Sequence, residues 1–293
     1  MTNEVHLKEN PLRAEKRRKL TELRRLGVDP FPHEFSPNAK AAAICEKFAS
    51  LEVGEKAHAE QFRMAGRLMT VRSMGKAAFF NIQDGTGRIQ CYLKLEELPD
   101  LTQKTFDLVD IGDFVGVEGY IFKTKKGEVS LHCEKFSIIC KTLEPLPEKY
   151  HGVVDQEIKY RYRHLDLIMS EESRQVFQTR SKIISEIRSF LDGRGFLEVE
   201  TPMLQPIYGG AAAHPFTTHH RALDMKLYLK ISPELYLKRL IVGGFEKVYD
   251  INKNFRNEGI DRTHNPEFTM VEWYEAYTDY NDQMKRFEDL VQH

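Results

Sequence analysis

The segment "EKVYDINKNFRNEGIDRTHNPEFTMVEWYEAY", residues 246–277, decides how the rest of the chain is read. Its two ends alternate apolar and polar residues, the period of a strand. Its middle, residues 255–268, puts Arg256, Glu258, Arg262 and His264 into one loop that closes with Pro266 and Phe268. The pattern predicts strand, loop, strand. On the returning strand, Phe268, Met270, Glu272 and Tyr274 share one face. That face is apolar and aromatic except for Glu272. A carboxylate there costs on the order of several kcal/mol unless a cation pairs with it. The cation is either a Lys or Arg of the protein or part of a ligand. Phe268 and Glu272 are four residues apart, about 13 Å along a strand. A ligand that is flat and aromatic at one end and cationic at the other spans that distance. Arg256, at the mouth of the loop, has the forked guanidinium that fits phosphate and carboxylate oxygens between the two ends. The bland alternative is that the loop is plain polar surface.

Upstream, "MKLYLKIS" (225–232) alternates with Met225, Leu227, Leu229 and Ile231 on one face and Lys226, Tyr228 and Lys230 on the other. Ser232 and Pro233 then predict a helix start, Ser as N-cap and Pro at the first helical position. Glu234 falls in the first turn, where the helix dipole alone favours an acid. Residues 172–192 carry Val176, Ile183, Ile184, Ile187, Phe190 and Leu191 at helical spacing, ended by Gly193 and Gly195. "FLEVETP" (196–202) reads as a strand closed by Pro202. The last stretch, "DYNDQMKRFEDLVQH", reads as a helix.

The N-terminal half reads differently. Residues 62–142 predict an all-β domain: "FRMAGRLMTVR" is one strand, a hairpin turns at Asp84-Gly85, and two more strands turn near Lys126-Gly127. Five short strands with one interruption suit a small OB-type barrel, a fold that binds single-stranded nucleic acid on aromatic faces. Phe79 and Phe80 are adjacent and point to opposite faces, so at most one is buried in the barrel. Before the barrel, residues 11–27 predict a helix with seven basic residues, among them Lys16, Arg17, Lys19 and Arg24, against Glu15 and Glu22. This is either a solvated face or a contact to a phosphate backbone. Residues 1–61 form this helix and a lead-in. Residues 143–163, with two prolines and little periodicity, read as a linker, and residues 164–293 as a second domain.

The totals agree with two domains. Lys and Arg number 43 against 44 Asp and Glu, so net charge points to no partner class. No run approaches the roughly 18–20 apolar residues of a membrane span, and residues 1–19 have no apolar core for a secretory signal. Cys45, Cys91, Cys133 and Cys140 form no CxxC pair, which fits isolated thiols in a reducing, cytoplasmic setting and no zinc site.

"GFLEVETPML" (195–204) and "FRNEGIDRTHNPEF" (255–268) resemble motifs 1 and 2 of the class II aminoacyl-tRNA synthetases. With "GGAAAHPFTTHH" (209–220) and "ISPELYLKRL" (231–240), the chain from about residue 10 onward resembles the bacterial-type lysyl-tRNA synthetases. The resemblance implies an α+β protein: an N-terminal OB-type β-barrel followed by a class II antiparallel-sheet domain flanked by helices. It implies ATP-dependent activation of lysine to lysyl-adenylate and transfer to tRNA(Lys). Lysyl-adenylate has the long, two-ended shape deduced above. The resemblance assigns Arg256 to the lysine carboxylate and the α-phosphate, the one catalytic role. It assigns Glu258 to the adenine amino group, His264 and Arg262 to the γ-phosphate, Asn265 to the nucleotide and Phe268 to stacking on adenine. Glu234 and Glu272 would bind the amino groups of lysine, with Gly210 and Tyr274 shaping the pocket. In the barrel, Phe79 would lie under an anticodon base while Arg72, Gln90 and Glu128 read base edges. Helix 172–192 would lie at a homodimer interface.

The sequence departs from the family pattern at its end. Motif 3, a Gly-rich segment carrying an arginine, is absent after residue 160, and the family's Mg2+ carboxylates lie beyond residue 293. The expectation is a truncated catalytic domain holding motifs 1 and 2 only, with an incomplete sheet, exposed edges, and no useful lysine activation by itself. Two other readings stay open: a non-catalytic tRNA-binding fragment, and a sister synthetase for aspartate or asparagine. Two acids in the pocket speak against the last, since an acidic substrate would want a cation there.

Overall fold

A computed structural model describes residues 10–147 and 155–293. They divide into two compact units, one ending at Met169 and one starting at Ser170.

In the first unit, β1 (Lys56–Met74), β2 (Ala77–Gln83), β3 (Arg88–Lys94), β4 (Phe114–Lys123) and β5 (Val129–Cys140) close a barrel in the order β1-β2-β3-β5-β4. The β1 strand starts six residues before the expected Phe62. It pairs first with β4 and then with β2, shifting register between Ala57 and Phe62 and again between Leu68 and Thr70. Such bulges bend a strand enough to serve two neighbours round a barrel. The hairpin turns where the sequence puts it. Asp84 Oδ1 accepts from Thr86 N (2.7 Å) and Gly87 N (3.0 Å), while Oδ2 accepts from Ala41 N at the start of α2 (Ala41–Lys47). One aspartate thus fixes a turn and caps a helix. The interruption between β3 and β4 is helical, α3 (Asp100–Leu108). Phe80, Leu68, Val115, Val117, Ile121 and Leu131 fill the barrel. Gly119 lies where β4 and β5 shift register, and a Cβ there would stand 1.8 Å from the His132 carbonyl oxygen. All four cysteines are free thiols.

The basic helix α1 (Pro11–Arg25) is two residues shorter than expected, capped by Asn10 Oδ1 on Leu12 N at 3.0 Å. Its positive charge is partly internal. Lys16 is buried and donates to the Ile111 carbonyl at 3.2 Å, and Lys19 pairs with Asp110 at 2.6 Å. Lys141, fully buried, bridges Asp110 (2.6 Å) and Asp113 (2.8 Å). Arg18 and Arg25 pair with Glu15 and Glu22 one turn away. Two lysines expected on a solvated or phosphate-facing side therefore dock the helix to the barrel. The apolar positions gave no sign of this, because the partners lie some 90 residues away.

Of the expected linker, residues 148–154 lie outside the described residues, as do residues 1–9 of the N-terminal lead-in. Within the linker, residues 143–147 are irregular as expected, but Gln156–Arg161 form α4, and α5 (Arg163–Met169) begins at its last residue; both helices are too short to show a period in sequence.

In the second unit, α6 (Glu171–Asp192) matches the expected helix, with Ser170 Oγ accepting from Ser173 N at 3.1 Å. The expected strand 196–202 reduces to β6 (Leu197–Glu198), because Pro202 and the buried Thr201 turn the chain away. Two small sheets follow. In the first, β10 (Lys247–Phe255) pairs antiparallel with β11 (Glu267–Glu275) and parallel with β6. In the second, β9 (Met225–Leu229) lies between β7 (Leu204–Gln205) and β8 (Thr217–His220). The sheets are antiparallel, as expected, except for the short parallel pairing of β6 with β10, and the outer edge of β11 is unpaired among the described residues. On one face of β10 and β11, Tyr249, Ile251, Val271 and Trp273 pack with Ile187, Phe190 and Leu191 of α6. The opposite face meets α7 (Glu234–Val242). The chain ends in α8 (Tyr280–Gln292), opened by a capping box between Asp279 and Asp282.

Candidate functional site

The β11 residues predicted to share one face do share it. β10 and β11 stay in register from Lys247↔Glu275 to Phe255↔Glu267, so Phe268, Met270, Glu272 and Tyr274 share one side with Val248, Asp250, Asn252 and Asn254. Glu272 is half-buried. Its Oε2 accepts from Ser232 Oγ at 3.1 Å and its Oε1 from the Tyr274 hydroxyl at 2.9 Å. Among the described residues no Lys, Arg or His forms an ion pair with it. Its hydrogen bonds come from hydroxyls, which orient the carboxylate without cancelling its charge. Tyr274 responds accordingly: burial, the hydrogen bond to Glu272 and the charges of Glu272 and Glu234 all push its hydroxyl well above the ordinary tyrosine range.

Ser232 connects the two predicted acids. The α7 helix begins at Glu234, one residue later than expected, yet Pro233 already has helical dihedrals. Ser232 Oγ accepts from Glu234 N at 3.2 Å, the role of an N-cap, while it donates to Glu272. Gly210 fits against this pair. Its φ of +88° suits glycine, and a Cβ would stand 2.7 Å from Glu234 Cβ and 2.8 Å from Ser232 Oγ. Glu234 itself is paired with Lys238 one turn on, at 2.5 Å. A cationic ligand would share or displace that lysine.

A second acid, Asp250, lies directly across the ladder from Glu272. It is buried and neutralised: Lys230 Nζ stands 2.9 Å from Asp250 Oδ2 and 2.9 Å from Thr201 Oγ1, which itself donates to Asp250 at 2.5 Å. Sequence reading passed over this cluster, although alternation along 247–255 puts Asp250 on the same face as Val248. Two acids facing each other across a sheet were the available signal.

Arg256 follows β10. Its backbone N–H donates to the Pro266 carbonyl at 2.9 Å, closing the loop, and its guanidinium lies 5.2 Å from the Phe268 ring centroid. Its Nε is buried with no hydrogen-bond partner. A charged donor in that state is a ready site for an anion. Asn257 N donates to the His214 carbonyl (2.7 Å) and Glu258 Oε1 accepts from His214 N (3.4 Å), clipping the loop to the 209–216 segment. Further out, Arg262, His264 and Asn265 are exposed. His264 Nδ1 lies 2.8 Å from Asp261 Oδ2. Asp261, not singled out from sequence, is lowered to about 2, first by the Thr263 backbone N–H and then by His264. Gly210, Glu234, Arg256, Phe268, Glu272 and Tyr274 thus gather around one set of elements, with Glu258 at its margin. Arg262, His264 and Asn265 stay on the exposed loop. Among the described residues no three His, Cys, Asp or Glu side chains are grouped to hold a metal ion.

On the barrel, Arg72, Phe79, Gln90 and Glu128 all line one cleft of about 750 Å³. Phe80 is buried in the core and Phe79 faces out, its ring 4.8 Å from Tyr92. Lys125, Lys126, Tyr92 and Phe122 share the cleft, and none of them was singled out from sequence. Lys125 and Lys126 sit beside the expected turn at Gly127, so their place at the cleft follows from the hairpin.

The chain belongs to the class II tRNA synthetase family. Residues 155–293 match the tRNA synthetases class II (D, K and N), and residues 62–139 match the OB-fold nucleic acid binding domain. Within that family it is similar to lysine–tRNA ligases. It is 54% identical to the lysine–tRNA ligase of Pelotomaculum thermopropionicum, over 96% of this chain and 54% of that one. It is 52% identical to that of Carboxydothermus hydrogenoformans (98% and 58%) and 53% identical to that of Bordetella bronchiseptica (97% and 56%). The chain spans about half the length of the curated relatives it matches. No helix among the described residues is long and apolar enough to cross a membrane.

Proposed function

We propose that this chain carries the anticodon-binding barrel and the lysine- and ATP-binding part of a lysine–tRNA ligase. The observation that carries the reading is Glu272: a half-buried carboxylate oriented by two hydroxyls and, among the described residues, paired with no cation. The ε-ammonium of lysine supplies the missing charge. Glu234, Gly210 and Tyr274 complete the amino-acid end, and Phe268 with Glu258 takes the adenine end. His264 and Arg262 take the γ-phosphate of ATP, and Asn265 orients the nucleotide. In the activation step a lysine carboxylate oxygen bonds to the α-phosphorus of ATP and the bond to the pyrophosphate oxygen breaks. Lysyl-adenylate and pyrophosphate result. The carboxylate is already ionised, so no general base is needed. Negative charge builds on the α-phosphate oxygens, where the Arg256 guanidinium lies free to meet it. The lysyl group then passes to the terminal ribose of tRNA(Lys), whose anticodon would meet Arg72, Phe79, Gln90 and Glu128. Among the described residues no three His, Cys, Asp or Glu side chains are grouped to hold a Mg2+ ion.

The same reading divides the chain into a lead-in (1–61), barrel (62–142), linker (143–163) and catalytic part (164–293), working in the cytoplasm. Val176 and Ile183 stand exposed on α6 beside an apolar groove of about 590 Å³, which supports a second copy of the chain as the partner of that helix.

The test is calorimetric titration with a non-hydrolysable lysyl-adenylate analogue and its norleucyl counterpart, which lacks only the ammonium. Sites built round a buried polar partner reject such analogues by up to about 10⁴-fold. The lysyl form should bind at least tenfold more tightly, and Glu272→Gln should abolish the difference. Equal binding of both, or preference for an aspartyl analogue, refutes the reading.

A further inference from the structure

Beside the anticodon-type cleft the barrel holds a second cleft of about 670 Å³, within the size range of about 300–1,000 Å³ for small-ligand sites. The two share Tyr92 and Phe122. Cross-strand pairing puts Phe79 opposite Tyr92, Tyr92 opposite His132, and His132 opposite Tyr120. Their rings follow one another at 4.8, 5.5 and 4.7 Å, and His58 continues the series 4.0 Å from Tyr120. An unbroken row of aromatic and imidazole rings therefore runs from β2 across β3, β5 and β4 to β1. Only its first member was expected to meet a base.

The second cleft also has polar groups that a purely structural row does not need. His132 Nε2 lies 3.5 Å from Glu97, which leaves Nδ1 as the acceptor, and Nδ1 is buried without a partner. Burial lowers the imidazole's pKa and keeps it neutral, so the acceptor persists. Lys56 stands on the rim for a phosphate and Glu134 can accept from a base N–H, while Lys94 and Glu97 on the same rim pair with each other at 2.7 Å.

We infer that the second cleft takes a further nucleotide of the same single RNA strand that enters the Phe79 cleft. The base packs against the His58–Tyr120–His132 row and donates an N–H to His132 Nδ1. The inference rests on the anticodon reading of the barrel and extends it by one base-binding position, on rings where stacking tolerates any base.

The test uses the full chain and fluorescein-labelled oligouridylates, complementary to the AAA codon of lysine, read by anisotropy. A uridine trinucleotide fills the first cleft only, and a heptanucleotide reaches both. The exposed His58→Ala should weaken the heptanucleotide about tenfold and leave the trinucleotide unchanged. Phe79→Ala should weaken both. As a second measurement, the His132 ring 15N resonances should move with the heptanucleotide and not with the trinucleotide. Heptanucleotide affinity unaltered by His58→Ala, or His132 resonances that stay in place, overturns the second site. A shift produced equally by uridine monophosphate overturns it too, because the cleft then takes a free nucleotide. Phe79→Ala that leaves trinucleotide binding intact overturns the anticodon reading instead.

Discussion

Replacing Lys230 by methionine removes the one cation that, among the described residues, is bonded to Asp250, while keeping the length of the buried side chain. Lys230 is fully buried and Asp250 is 2% exposed, so the ion pair has no water to fall back on. After Lys230→Met, Asp250 keeps the Thr201 hydroxyl and backbone N–H as its donors among the described residues. Breaking a buried pair by removing one partner costs about 3–5 kcal/mol, because the other charge is left uncompensated. The double variant Lys230→Met/Asp250→Asn removes that charge as well and should recover most of the loss, to within about 1–2 kcal/mol of the parent. Trp273 is the sole tryptophan, lies on the opposite face of β11, and donates from Nε1 to Gln283 at 2.7 Å. Its fluorescence therefore reports urea unfolding of the second unit without signal from the barrel. A single variant within about 1 kcal/mol of the parent, or a double variant no more stable than the single, refutes the assignment of Asp250 as a charge held by Lys230.

Three further outcomes follow from the geometry. Gly210→Ala combines a positive φ, about 1–2 kcal/mol, with overpacking against Ser232 and Glu234, about 1–3 kcal/mol, so its urea midpoint should fall clearly and lysyl-analogue binding with it. Ser232→Ala removes one hydrogen bond to Glu272 and the cap of α7; a stability loss of about 1–2 kcal/mol and weaker lysyl-analogue binding should appear together in titration. Burial alone would raise the Asp110 carboxyl, yet Lys141 and Lys19 outweigh it and hold its pKa below the ordinary value. Its stabilising effect is therefore complete above about pH 5 and is lost as pH falls below about 4, through the depressed folded value. The stability difference between the parent and Asp110→Asn, by circular dichroism in urea, should be level above pH 5 and shrink below pH 4.

What sequence could show was local. The alternation of 267–275 placed Glu272 beside Phe268 because a regular ladder has period two and no bulge disturbs it. The adjacency of Phe79 and Phe80 sent one ring inward and one outward for the same reason. What it could not show depended on distant partners. Lys230 reads as one more lysine on a polar strand face; only the fold brings Thr201 and Asp250 to it. Lys16 and Lys19 read as part of a charged helix, and only the fold brings Ile111 and Asp110 beneath them. The second barrel cleft needs Tyr92, Tyr120 and His132 from three strands, one pair of them parallel, and no local pattern encodes that closure.

The two acids that face each other across β10 and β11 show how one sheet can hold a permanent and a provisional charge. Asp250 has a buried ammonium of the protein at 2.9 Å and the Thr201 hydroxyl at 2.5 Å, so it has nothing to offer a ligand. Glu272, one strand away, has only hydroxyls. Had Lys230 reached Glu272 instead, the pocket would be neutral and an ammonium would gain nothing by entering it. Had neither acid been paired, two uncompensated carboxylates would face each other across the ladder. By pairing one acid, the sheet leaves the other short of one cation. Under the lysine reading proposed above, Lys230→Met should therefore weaken recognition in a specific way. Asp250, no longer paired, competes with Glu272 for the incoming ammonium, so the preference for the lysyl over the norleucyl analogue should fall in calorimetric titration. A variant that keeps the parent's preference would mean that the two acids do not sense each other.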